Sequence, residues 1–240
     1  MQFKKTILVF VLLFPIYMVN EWSVAANRDN SYTPLIDKFQ IIHAENTSDL
    51  PDLQLLKTAL SGYELLKNEQ SIHRTEVITI IDFSLPSDTE RLWVIDLVGA
   101  KVLYHCLVSH GRNSGDLMAE KFSNNPGSYT SSPGFYTTGE SYFGKHGLSL
   151  RLDGIEKGIN DKARERAIVI HGADYVSPDF VKKYGRLGRS LGCPAVPEKL
   201  SKEIIETIKD GSCLFVFTPT KSYLSNSRII TKITAPSKKG

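Results

Sequence analysis

Cysteine is scarce in this chain: Cys106, Cys193 and Cys213 are the three among 240 residues, too few for a disulfide framework to stand in for a hydrophobic core. An excess of one charge is missing too. The 29 Lys and Arg against 26 Asp and Glu leave a scattered net +3, which argues against a nucleic-acid partner. The apolar run at 7–19, interrupted by Pro15, is shorter than the ~20 residues a membrane-spanning helix needs. Close ligand pairs such as His-x-x-x-His or Cys-x-x-Cys are absent, so no metal site is expected. The glycines between Gly111 and Gly115 lack the lysine of a phosphate-binding loop.

What is present is ordinary globular material, 41% hydrophobic and 23% charged, in a length that suits one catalytic-size domain. Lys4 and Lys5, the apolar run and the small residues Ser23, Ala25 and Ala26 together read as a secretory signal over 1–26, with no cysteine after it for lipid attachment. The expected product is exported to the periplasm or cell envelope, with no stable membrane span after cleavage. Residues 27–50 are polar and weakly periodic and are expected to form a flexible arm. From Pro51, Leu53, Leu56, Leu60, Tyr63 and Leu66 recur at helical spacing, which predicts a helix over 51–68 with Asp49 as its cap.

Seven β-rich runs follow, at 77–83, 91–98, 102–109, 135–138, 148–152, 167–170 and 214–218, parted by Gly, Pro, Ser and Asn. They predict a mainly β, sandwich-like domain over 51–220 with the N-terminal helix and short helices at 160–166 and 198–209. The tail, 221–240, is expected to add an edge strand or stay mobile.

Chemistry is expected at two places. His171 ends the buried run Ala167-Ile-Val-Ile, and nineteen positions later Ser190-Leu-Gly-Cys-Pro sets a thiol in a turn. Thiol catalysis needs this pair, a nucleophile and an imidazole that takes its proton. Cys106 and Cys213 lie in apolar runs and read as buried small hydrophobes. The backbone N–H groups of Gly192 and Cys193 are candidates to hold an oxyanion, and the Gly172 carbonyl can approach the imidazole.

Six blocks in order resemble the bacterial L,D-transpeptidases, YkuD-like murein catalytic domains. They are Ser109-His-Gly-Arg-Asn-Ser-Gly, Phe122-Ser-Asn, Ser131-Ser-Pro-Gly-Phe-Tyr, Tyr142-Phe-Gly-Lys-His-Gly-Leu-Ser-Leu, Arg166-Ala-Ile-Val-Ile-His-Gly-Ala and Gly188-Arg-Ser-Leu-Gly-Cys-Pro-Ala-Val. The resemblance implies a Cys193 nucleophile, a His171 base and an orienting Gly172 carbonyl. It implies peptidoglycan stem peptides as partners, a monomer and no cofactor. The implied reaction is an acyl-enzyme thioester resolved by an amine, with water as acceptor, or an inactive wall-binding protein, as the alternatives. Leu191 and Ala195 stand where the family's common motif has His and then Asn or Arg. Arg189 is therefore the candidate for the missing charge, with Arg186 behind it, and Ser190, Tyr142, His146 and Ser132 are the other candidate substrate contacts.

Overall fold

Short β-branched and aromatic runs between turn residues give this chain strands with both faces covered. The computed structural model describes residues 34–45 and 50–235, and its strands are β1 (Arg74–Asp82), β2 (Leu92–Asp96), β3 (Lys101–Cys106), β4 (Gly134–Gly144), β5 (Gly147–Gly154), β6 (Val169–Ala173), β7 (Ala195–Pro197) and β8 (Ser212–Phe217). They form one sheet in the order β3-β2-β1-β8-β4-β5-β6-β7. The pairs β1/β8 and β6/β7 are parallel and the others antiparallel. After β3 the chain crosses to the far edge, where Ser109 N–H donates to the Ala195 carbonyl at 2.9 Å and Gly111 bridges to Ser190. The sheet is therefore nearly closed, like a barrel. The fold is mainly β, and its packed layers come from one curled sheet.

Residues on β8 show how both faces are used. Cys213 and Phe215 join a core with Leu56, Leu60, Tyr63 and Leu66 of α2 (Leu53–Asn68). Leu214 and Val216 point the other way, toward Ile204, Ile205 and Ile208 of α4 (Glu198–Ile208). Each of these isoleucines contributes about 1.5–3 kcal/mol on burial, enough to seat α4 against β6. Cys106 lies in the α4 core and Cys213 in the α2 core, and both are free thiols.

Several expectations change. The α2 cap is Asp52, whose carboxylate accepts from Gln54 and Leu55 N–H at 2.9 and 3.2 Å, whereas Asp49 lies outside the described residues. Within the expected flexible arm, Pro34–Glu45 is a helix (α1) that buries Ile36 and Phe39 against α2. The expected helix at 160–166 is a run of turns. Asn160 organises it, its amide donating to Pro133 and Phe135 carbonyls at 3.1 and 3.0 Å. The expected edge strand of the tail is instead two short helices, α5 (Lys221–Asn226) and α6 (Arg228–Thr234), which bury Tyr223, Ile229 and Ile230. A helix not expected, α3 (Pro178–Tyr184), has legible caps in Ser177, Pro178 and the left-handed Gly185. The expected signal over 1–26 lies outside the described residues, and among the described ones no helix is long and apolar enough to cross a membrane.

The tail helices are tied to the sheet by one buried carboxylate. Glu156 accepts from Phe135 N–H at 2.9 Å, from the Tyr223 hydroxyl at 3.2 Å and from the Ser227 hydroxyl. Glu156→Ala leaves all three donors without this acceptor, and an unsatisfied buried polar group costs about 1–3 kcal/mol. We expect a loss of about 3 kcal/mol in urea unfolding, with protease cleavage appearing first within 221–235. Unchanged stability would show that the tail docks through its apolar side chains alone.

Candidate active site

The site grows from the edge where β6 meets the turn before β7. His171 is the central residue of β6, paired with Ser149 of β5 on one side and Ala195 of β7 on the other, so its backbone is fixed from both flanks. Its side chain is buried, with 2% exposure. Nδ1 lies 2.9 Å from the Gly172 carbonyl. With Nδ1 as the donor, Nε2 carries a lone pair and has no hydrogen-bond partner among the described residues. Gly172 has a separate reason to be glycine: a Cβ there would meet the Ser201 hydroxyl oxygen at 2.7 Å and the Glu198 Cα at 3.1 Å, where α4 begins.

Cys193 lies in the turn leading into β7, half-buried and against the start of β6. Its Sγ accepts from Val169 N–H at 3.5 Å and donates to the Ala167 carbonyl at 3.7 Å. Burial pushes the thiol up, while the Val169 N–H and the Arg166 guanidinium pull it down. Burial, then the neighbouring His146, hold His171 below the usual imidazole range against the pull of the Gly172 carbonyl. Both shifts favour the neutral form of each side chain. Cys106 and Cys213 are different: desolvation pushes the Cys106 thiol to about 12 and the Cys213 thiol up as well, so neither forms a thiolate at neutral pH.

The turn itself is braced by Ser190. Its hydroxyl donates to the Cys193 carbonyl at 2.6 Å and accepts from Gly192 N–H at 3.0 Å. Of the two candidate oxyanion donors, Gly192 is thus engaged within the turn, and Cys193 N–H has no acceptor among the described residues. Gly192 sits at φ +125°, in left-handed territory, with Thr130 O only 2.8 Å from where a Cβ would be. Gly188, Ser190 and Gly192 also have the Gly-x-Ser-x-Gly spacing of a serine-hydrolase elbow. Here the turn runs into a strand, and the Ser190 hydroxyl is held by the backbone of its own turn.

The expected substrate contacts fall in three places. Arg189 is turned away to Asp116, at 2.9 Å, and to the Gly115 carbonyl at 3.0 Å; Arg186 takes the same carboxylate at 2.8 Å. The two arginines clamp the 112–116 loop. Ser132 is buried, its hydroxyl donating to Ser123 O at 2.8 Å and accepting from Arg166. Tyr142 packs under the Arg151 guanidinium, 4.5 Å from its ring centre. His146 is brought to the site: from the β4–β5 turn its ring stacks on His171 at 4.4 Å between centroids and 22° between planes.

Two residues at the site escaped the sequence reading as functional groups. Arg166 donates to Ser123 O and Thr130 O at 2.7 Å each, and to the Ser128 and Ser132 hydroxyls. It is the cation that acts on the Cys193 thiol. Its placement follows from the turn after it, where Ala167 N–H bonds Arg164 O and Ile168 N–H bonds Ala163 O, with Ala167 left-handed at φ 53°. That is a Schellman-type end without its glycine, and it aims the Ala167 carbonyl at Sγ. Tyr175, whose phenol is pushed to about 12 by burial and then by Cys193, places a hydroxyl near the thiol. His110 is buried elsewhere, Nδ1 being 2.9 Å from Arg91, and among the described residues no cluster of three metal ligands occurs.

A contrast between arginines follows. A nearby positive charge favours the ionised thiol, so Arg166→Ala is expected to slow acylation of Cys193 by roughly tenfold, and Arg189→Ala far less. Alkylation of Cys193 by iodoacetamide against pH checks it: the thiol should titrate higher in Arg166→Ala and unchanged in Arg189→Ala. The reverse order would return the electrostatic role to Arg189.

Residues 47–217 match the L,D-transpeptidase catalytic domain family, YkuD_2. The chain belongs to that family. No curated protein matches the sequence. Among solved structures it is similar to an L,D-transpeptidase from Mycobacterium smegmatis, with 15% identity, TM-score 0.37, and coverage of 60% of this chain and 59% of that one. It is also similar to an L,D-transpeptidase from Mycobacterium tuberculosis H37Rv, with 13% identity, TM-score 0.39, and coverage of 60% and 58%. A third is a mutant of the helical cell shape determining protein Pgp2 from Campylobacter jejuni, with 14% identity, TM-score 0.40, and coverage of 72% and 58%. The match therefore spans less than two thirds of the length of these relatives.

Proposed function

We propose that this protein is an exported cysteine acyltransferase acting on peptidoglycan stem peptides, with Cys193 as nucleophile and His171 as base. The observation that carries the reading is the Nδ1 contact to the Gly172 carbonyl, 2.9 Å, which leaves the Nε2 lone pair for a proton, in a chain of this family. As Sγ bonds to the carbonyl carbon of the L-centre, its proton passes to Nε2. Cys193 N–H receives the developing oxyanion. The C–N bond to the terminal D-residue then breaks, His171 returns the proton to the leaving amine, and a thioester remains. An acceptor amine attacks that thioester and gives a proton to Nε2 as its C–N bond forms, the C–S bond breaks, and His171 passes that proton to sulfur. A neighbouring stem gives a cross-link, a wall-anchored protein gives an attachment, and water gives a shortened stem. No cofactor enters any step.

The deciding experiment incubates the purified chain with disaccharide tetrapeptides and reads products by mass. Dimers in excess of tripeptides support transferase action. Tripeptides alone mark a carboxypeptidase. Unaltered substrate marks a wall-binding protein that keeps only the fold.

A further inference from the structure

The His146 ring is exposed, yet it lies flat on a buried one. It sits on the two-stranded turn Lys145-His146 between Gly144 and Gly147, where β4 and β5 pair directly, and Gly147 holds φ +74° to make the reversal. The contact is 4.4 Å between centroids at 22°. His171 has its Nδ1 edge tied to Gly172 and its backbone paired on both sides, so the free variables left to the ring are the tilt of its outer face and its charge.

We propose that His146 is a positioning residue, a lid ring that holds the His171 ring flat with Nε2 directed at the nucleophile and opposes a positive charge on it. This rests on the function proposed above. Stacking restricts the tilt that would misalign Nε2, and two imidazolium rings in contact repel, so the arrangement keeps the base neutral. The neighbouring His146 adds to the effect of burial in holding His171 below the usual imidazole range. The elements around the pair also carry Lys145 on the hairpin, Arg151 on β5, Asp174 after β6, Glu198 on α4, and Cys193 with Arg166 at the turn. None of these others shifts His171.

The test uses the full chain and two substitutions. His146→Phe keeps a flat ring and removes the charge; His146→Ala removes both. NMR titration of the labelled imidazoles reads the coupling without any substrate: the His171 midpoint should move to higher pH in both variants. Acylation by a tetrapeptide donor reads the positioning: His146→Ala should slow the rate by roughly threefold to tenfold, the size of one lost aromatic contact, with the donor KM nearly unchanged. His146→Phe should recover most of that rate, while its acidic limb stays displaced upward. An unmoved His171 midpoint, or a Phe variant as slow as the Ala variant, overturns the proposal. A wild type that never acylates but shows the coupled titration overturns the function and leaves the ring coupling standing.

Discussion

Replacing Cys193 with alanine is expected to abolish acyl transfer and leave the fold intact. The side chain sits in a turn whose shape is set by Ser190 and Gly192, so removing Sγ breaks only the contacts to Val169 N–H and Ala167 O. The other two thiols cannot take over. Cys106 and Cys213 are buried in separate cores, and desolvation holds both in the thiol form. Cys106→Ala and Cys213→Ala are expected to keep the activity and lose about 1 kcal/mol of stability, the usual cost of a small core truncation. Intact mass after exposure to a carbapenem checks both statements. Wild type, Cys106→Ala and Cys213→Ala should each gain one adduct, and Cys193→Ala none. An adduct on Cys193→Ala would place the nucleophile elsewhere and dissolve the proposed mechanism.

The positions of the proposed thiol and base are legible in the sequence because each lies in a local pattern: a buried run ending in His171-Gly172, and a glycine turn around Cys193. Residues that act through distant partners are not. Arg189 looks free in its loop, and its carboxylate, Asp116, lies far back along the chain. Arg166 reads as one more basic residue until the turn at the left-handed Ala167 sets its guanidinium on the Ser123 and Thr130 carbonyls, where its charge acts on the Cys193 thiol. His146 belongs to a hairpin whose tip meets His171 only because β5 pairs with β6.

The same distinction holds for the fold. The long stripe of α2 and the apolar runs of β1, β2 and β8 are visible because their periodicity outlasts local noise. Strand β7 is three residues ending in Pro197, too short to show any period, and it exists because β6 offers it a parallel edge. The tail helices are equally short, and Ile229 and Ile230 become helical by docking beside Tyr223 and the Glu156 carboxylate. The turn run after β5 carries a helix-like ending but is claimed by Asn160, whose side chain satisfies backbone groups on β4 and before it.

His171→Asn is expected to slow acylation by roughly 10²–10⁴, with donor binding little affected, because a positioned base is lost while the rest of the groove stays. The pH dependence separates this from simple damage. On the proposed mechanism the base works in its neutral form, and the folded titration of His171 lies below the usual imidazole value. Activity therefore persists below the ~6.5 at which a free imidazole would lose it, and falls only as pH drops through the lowered His171 titration. At the alkaline end the thiol, raised by burial, ionises without help. The deficit of His171→Asn should accordingly shrink as pH rises, since hydroxide then removes the proton that the imidazole no longer takes. Single-turnover acylation from pH 5 to 10 measures both limbs. A constant ratio of wild type to His171→Asn across that range would mean that His171 shapes the site and moves no proton.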